Sequence, residues 1–320
     1  FAMGMKKDIA IPVDSESRTV LADVVYPSEN NIDVILSKEN KDNLETFILS
    51  YKNADRLNSM GIGVSNTLLL YGPPGCGKTQ CAYLIARELG LPLVIARLDS
   101  LISSYLGTTA KNIRALFDFA QKMPCVLFLD EFDAIAKARD DSNELGELKR
   151  VVNSLLQNVD AMSNDSLLIA ATNHDKLLDS AVWRRFEYKL RIELPDTNAI
   201  IEMIDLFTRK GHNLNDKEKI ELATALSGLS GANVEEILVK AMRKAIIHER
   251  AVEKSDYYDE IFSFKGIIPQ NCSCEKTLLS IKANYLRSCS EKVFSYQVIA
   301  NILNISKTSV SKIVKEVSEV

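Results

Sequence analysis

Residues 72–79 read GPPGCGKT; the apolar run NTLLLYG (66–72) leads into them and a segment of helical period follows. A buried strand, a glycine-rich turn and a helix start, in that order, make a phosphate-binding loop. Glycines let successive backbone N–H groups curl around an anion, the helix N-terminus adds partial positive charge, and a lysine reaches the outer phosphates. Lys78 is that lysine and Thr79 the expected Mg²⁺ ligand. Gly72, Pro73, Pro74, Gly75, Cys76, Gly77, Lys78, Thr79 and the adjacent Gln80 are the candidate nucleotide-binding residues, with ATP and Mg²⁺ the expected ligands.

Working outward, PLVIARL, PCVLFLD, SLLIAAT and YKLRIEL repeat the strand pattern of NTLLLYG, and the segments between them have helical period. Nearly continuous hydrophobicity marks strands buried on both faces. The fold class expected is therefore α/β, a parallel sheet with helices on both sides. Upstream, residues 38–60 have helical period and TVLADVVY reads as a short strand. Residues 198–253 read as three helices without strands. YYDEIFSFKGIIPQNCSC reads as an irregular connector, and a last helical unit follows from about Glu275. The expected segments are 1–31 (tag remnant and extension), 32–197 (nucleotide-binding), 198–253 (helical lid), 254–275 (connector) and 276–320.

CVLFLDEFD places Asp130 and Glu131 at the end of a buried strand, the edge where open α/β sheets bind ligands. Asp130 suits a water-mediated hold on Mg²⁺, and Glu131 suits orientation of an attacking water. In AATN, Asn173 ends the next strand and is placed to touch that water or the γ-phosphate. His174 beside it reads as a loop residue.

Composition excludes other classes. The chain of 320 residues is 46% hydrophobic and 26% charged, within the range of globular proteins. No apolar run approaches the roughly 18 residues of a membrane span. The opening FAMGMKK lacks the apolar core of a signal peptide, so a cytoplasmic protein without a membrane partner is expected. Six cysteines without framework spacing point to reduced thiols. The net charge of −4 is uneven, with seven Lys or Arg against three Asp or Glu after Glu275.

From about residue 32 to 250 these motifs together resemble the AAA ATPases of the branch that includes katanin and the ESCRT-disassembly ATPase, ring proteins, usually hexamers, that pull on protein substrates. The resemblance gives a role to AVWRRFEYKL (181–190). By themselves Arg184 and Arg185 read as a helix end covering its flanking aromatics; in the family the matching pair reaches the neighbouring subunit's ATP. The resemblance likewise implies that Gly231 and Ala232, in SGANVEEIL, form a small-residue surface against adenine. In LISSYLGTT, Tyr105, Leu106 and Gly107 match the loop that lines the ring's channel and grips extended polypeptide, and Arg139, Asp140 and Asp141 fall where a second such loop is expected. More loosely, residues 62–194 are similar to bacterial AAA ATPases encoded beside a subtilisin-like protease in anti-phage modules, which implies a partner protease. A different class remains open. YQVIANILNISKTSVSKIVK (296–315) has the pattern of a helix-turn-helix, with Asn304 at the tight turn and Ser306, Lys307, Thr308, Ser309 and Lys312 facing outwards. That unit would make the chain a DNA-bound, ATP-dependent switch akin to initiators, or dock a protein. No arginine occurs before Arg243 in the helical segment that SGANVEEIL begins, where initiators carry one early.

Overall fold

The structure, a computed structural model, describes residues 10–14, 17–27, 34–101, 106–136, 145–163, 165–208, 214–268 and 274–318. The chain divides into two compact units, Phe1–Glu193 and Leu194–Val320.

The first unit runs β1 (Ala22–Val25), α1 (Lys38–Lys52), α2 (Ala54–Ser59), β2 (Thr67–Tyr71), α3 (Lys78–Leu89), β3 (Leu93–Ala96), α4 (Leu98–Leu101), α5 (Leu106–Ala120), β4 (Val126–Leu129), α6 (Asp133–Ala136), α7 (Leu145–Asp160), β5 (Leu167–Thr172), α8 (Ser180–Arg185) and β6 (Tyr188–Arg191). The strands lie in the order β1-β3-β4-β5-β2-β6. Every pairing is parallel except β1 on β3, which covers that edge antiparallel. Successive residues of a strand point to opposite faces. Leu69, Leu127 and Leu168 therefore meet α5 and α7, while Leu68, Leu70, Phe128 and Ile169 meet α1 and α3. Both faces are covered, which is why the strands carry no polar alternation.

The helical pattern expected over 38–60 forms two helices, α1 and α2. Asn53 breaks it, its side-chain amide donating to the Leu49 carbonyl at 2.8 Å in competition with the helix ladder. The N-terminal segment is anchored rather than trailing. Asp14 is buried and accepts from the Asn112 side chain at 3.0 Å, and Arg97 pairs with Asp23 at 2.8 Å.

The second unit consists of α9 (Thr197–Phe207), α10 (Asp216–Leu226), α11 (Gly231–Ile247), α12 (Lys254–Phe264), α13 (Glu275–Cys289), α14 (Tyr296–Leu303) and α15 (Lys307–Ser318). Helix α12 corrects the reading of 254–275 as irregular. A capping box between Glu253 and Asp256 starts it, and Tyr257, Tyr258, Ile261 and Phe262 are buried along one side. Arg250 grips Asp256 with both guanidinium nitrogens, at 2.6 and 2.5 Å, and holds its carboxyl below the usual range. Tyr258 and Phe262 meet Phe294 and Tyr285, so the helices after Glu275 share this unit's core.

Candidate functional site

The chain passes from β2 to β3 across two strands that are filled in later, so β4, β5 and β2 end side by side. The three signals read separately along the chain, Asp130–Glu131, Asn173 and the loop from Gly72, thus meet at one sheet edge. This is the crevice position for a ligand in an open α/β sheet.

In the loop, Gly72, Gly75 and Gly77 have φ of +139°, +72° and +96°, the left-handed half of the map that side chains avoid. Gly77 sits at the N-cap of α3 without a side chain to satisfy the helix's first N–H groups, which stay available to an anion. Lys78 is only 6% exposed and its ammonium donates to the carbonyls of Gly72 at 2.8 Å and Pro73 at 2.7 Å. Burial pulls its pKa below the ordinary lysine value, opposed by Cys76 and by Asp130. Cys76 is buried too, and burial pushes the thiol of nearby Cys81 up to about 12, so Cys81 supplies no thiolate by default. Gln80 is exposed on the first turn.

Thr79 and Asp130, fifty-one residues apart, meet: the Thr79 hydroxyl donates to Asp130 Oδ2 at 2.9 Å. A hydroxyl beside a carboxylate at the phosphate loop is an oxygen set that suits Mg²⁺, which takes one or two protein oxygens and the rest from water and phosphate. Among the described residues, no group of three or more His, Cys, Asp or Glu could hold a metal without such help. Glu131 is exposed and takes φ +48°, uncommon for a residue with a side chain. Two bonds hold it there: its N–H donates to Asp130 Oδ1 at 2.9 Å, and the next N–H, of Phe132, donates to the Ala171 carbonyl at 2.8 Å. Stored backbone strain of this kind concentrates at functional sites. On β5's end, Asn173 Oδ1 is buried without a hydrogen-bond partner among the described residues. An orphaned buried acceptor calls for a donor, and a water or ligand at this edge would supply one. His174 is exposed and takes part through its backbone, N–H to the Thr172 hydroxyl.

The two arginines differ. Both lie in the last turn of α8, which is fixed by buried Val182, by Trp183 edge-on to Tyr71 at 5.2 Å and by buried Phe186 against Phe132 at 5.7 Å. Arg184 is exposed and makes no ion pair or hydrogen bond among the described residues. Arg185 is folded back, with Nε and Nη2 each 3.2 Å from the carboxylate of Asp160 and Nη1 on the Ala181 carbonyl. The sequence reading did not separate them, because Asp160 lies twenty-five residues away at the end of α7.

Tyr105, with Arg139, Asp140 and Asp141, lies outside the described residues. Leu106 and Gly107 open α5. Gly231 and Ala232 open α11 in the second unit behind the N-cap Ser230. Asn304 adopts φ +52°, ψ +42° between α14 and α15, the left-handed turn expected of it. Ser306 is spent locally: its hydroxyl accepts from the Ser309 N–H at 3.1 Å and caps α15. Two positions passed over in the sequence are also part of the site's frame, Thr172 and Asp133, both buried and bonded to each other at 2.9 Å. Each stands inside a motif, AATN or DEFD, whose other members drew the attention.

Comparison with known proteins agrees with this geometry. Residues 68–194 match the model of the ATPase family associated with various cellular activities (AAA). The chain is 45% identical over 234 residues to an uncharacterized AAA family ATPase, y4kL, of Sinorhizobium fredii, covering 73% of this chain and 70% of that one. It is 30% identical over 280 residues to a proteasome-activating nucleotidase of Methanococcus maripaludis, covering 85% of this chain and 69% of the relative. It is 31% identical to the 26S proteasome regulatory subunit 6A of Saccharomyces cerevisiae, over 81% of this chain and 63% of that protein. In fold it is similar to the AAA domain of FIGL-1 in complex with ADP, with a TM-score of 0.63, 24% identity, and 82% and 90% of the two chains covered. With its phosphate loop, acidic strand end and relatives in agreement, the chain belongs to the AAA family of ATPases and hydrolyses ATP.

Proposed function

We propose that this ATPase assembles into a ring, usually of six subunits in the family it resembles, and uses ATP hydrolysis to remodel or thread a protein partner. The observation that carries the reading is the extent of the likeness to proteasome-activating nucleotidase, which spans most of this chain rather than the nucleotide site alone. That relative's name ties it to a protease, and a partner protease on another polypeptide, possessed by the anti-phage modules noted above, is the form of the reading we favour. The lid residues Gly231 and Ala232 would lie against adenine, and Tyr105, Leu106 and Gly107 would contact the substrate.

In the hydrolytic step, the N–H groups of Gly75 to Thr79 cradle the phosphates and Lys78 leaves its two carbonyls for the outer ones. Bound Mg²⁺, with Thr79 as ligand and Asp130 behind a water, would neutralise charge on the phosphates. Glu131 orients the attacking water and accepts its proton as the water oxygen bonds to the γ-phosphorus and the bond from that phosphorus to the β,γ-bridging oxygen breaks, with ADP as the leaving group; Asn173 Oδ1 accepts a hydrogen bond from the same water. Arg184 is the better candidate to stabilise charge in a neighbour's site, since among the described residues it has no local partner to leave. Arg185 could join it, because an exposed pair such as the one with Asp160 is worth only about 0–1 kcal/mol.

A second reading has its own observation. Asn304 in its left-handed turn presents the exposed Lys307, Thr308 and Lys312 on α15, so recruitment to DNA through residues 296–315 is the alternative. One experiment separates them. A tagged Glu131→Gln chain, which should bind ATP without turning it over, is recovered from its native host with ATP and with ADP. A nuclease-resistant protein held with ATP and released with ADP supports remodelling. DNA recovered without any such protein overturns it in favour of the switch.

A further inference from the structure

Thr172 ties together the three loops of the nucleotide site. Its carbonyl accepts from the Gly72 N–H at 3.3 Å, its hydroxyl donates to Asp133 Oδ1 at 2.9 Å, and the same hydroxyl oxygen accepts from the His174 N–H at 2.9 Å. Beside it the Phe132 N–H reaches the Ala171 carbonyl at 2.8 Å. Thr172 is 1% exposed and Asp133 6%, so neither side chain is presented to a ligand. Burying a carboxylate is costly unless its bonds repay it in structure.

The polarity of this chain of bonds matters. The hydroxyl oxygen of Thr172 carries one proton, which it donates to the Asp133 carboxyl. The remaining lone pairs of that oxygen then receive the His174 N–H. Asn173 lies between the two anchored residues, and Asp133 stands two positions after Glu131, at the other end of the strained turn. We propose that Asp133 and Thr172 are positioning residues for hydrolysis: they fix the Asn173 side chain relative to Glu131, so that both hold one water. This rests on the roles given to Glu131 and Asn173 above.

Thr172→Val removes the hydroxyl at constant shape and leaves the carbonyl that bonds Gly72. Expected are a fall in kcat of about tenfold or more and a KM for ATP within about twofold, the pattern of an interaction that matters beyond ground-state binding. Thr172→Ser, which restores the hydroxyl, should bring turnover back to within about threefold. In an Asn173→Ala background, Thr172→Val should cost little further, because it acts through Asn173. A merely structural residue would instead add its full cost in both backgrounds, and that additivity would overturn the inference. So would normal turnover of Thr172→Val while Asn173→Ala is impaired. Normal turnover of Asn173→Ala removes the underlying reading and this inference with it. Should Thr172→Val not fold, Asp133→Ala is measured in its place, with Asp133→Asn, which keeps an acceptor, as the restoring variant.

Discussion

Gly72 is fixed by two independent constraints. Its φ of +139° excludes side chains, and a Cβ there would lie 2.0 Å from the Ile192 carbonyl oxygen, a backbone atom that cannot swing aside. Gly77 meets only the first kind, since a Cβ there would find nothing nearer than Val34 Cγ1 at 4.0 Å. Gly72→Ala should therefore destabilise the fold by more than about 3 kcal/mol, and Gly77→Ala by about 1–3 kcal/mol from backbone strain alone. Urea unfolding of the two variants checks the order, and equal losses would contradict it. At this scale much of the site was legible. The glycine spacing, Lys78, and the meeting of Thr79 with Asp130 follow from residue types whose chemistry has few alternatives at the end of a strand. Arg185 was not legible in the same way, because its Asp160 partner depends on how α7 and α8 pack. Thr172 was missed for a related reason: a threonine closing a strand looks like ordinary β-propensity until its three bonds are seen together.

The elements divide along the same line. Strands buried on both faces announce themselves by unbroken apolar runs, and β2 to β6 lie where those runs are. Helix α12 did not, although Tyr257, Tyr258, Ile261 and Phe262 stand at helical spacing. Aromatic residues have modest helix propensity, and the Gly266 and Pro269 that follow draw the whole stretch toward coil; burial decides against both. Phe262 is 1% exposed, lies 6.0 Å from Tyr285 on α13 and carries the Lys282 ammonium 5.0 Å from its ring centre. Removing it should cost about 3–5 kcal/mol, as large-to-small changes of a buried phenylalanine do. The loss should fall on the second unit, because α12 links α10 and α11 to the helices after Glu275. Hydrogen exchange resolved by segment tests this: Phe262→Ala should raise exchange across α10 to α14 while β2 and β5 keep their protection. Increased exchange confined to α13 to α15 would show instead that the C-terminal helices are a separable appendage.

For the whole molecule, the proposed ring makes completeness of the active site a property of neighbouring subunits. Within the chain, the phosphate loop, Glu131 and Asn173 meet at one sheet edge, and on the reading proposed above the cation that would meet the transferring phosphoryl group from outside is Arg184, in the last turn of a six-residue helix. If Arg184 serves a neighbour, Arg184→Ala should leave ATP affinity nearly unchanged and lower turnover by about 10³–10⁵, the contribution of such arginines in related phosphoryl transfer. That loss does not by itself locate the site it serves. Mixing does: an Arg184→Ala subunit keeps its phosphate loop and lacks the arginine, while a Lys78→Ala subunit has the reverse defect. Neither parent ring contains a complete site, yet an intact loop on the first can meet an intact arginine on the second at one kind of mixed junction. Phosphate release should therefore reappear in mixtures of two inactive proteins, rise to a maximum at intermediate ratios, and vanish on dilution below the assembly threshold. Arg185→Ala in the same assay measures whether release from Asp160 matters, with a small loss placing it in packing and a large one beside Arg184. Mixtures that stay inactive although subunit exchange is demonstrated would confine Arg184 to its own chain, and the ring would then be unnecessary for hydrolysis.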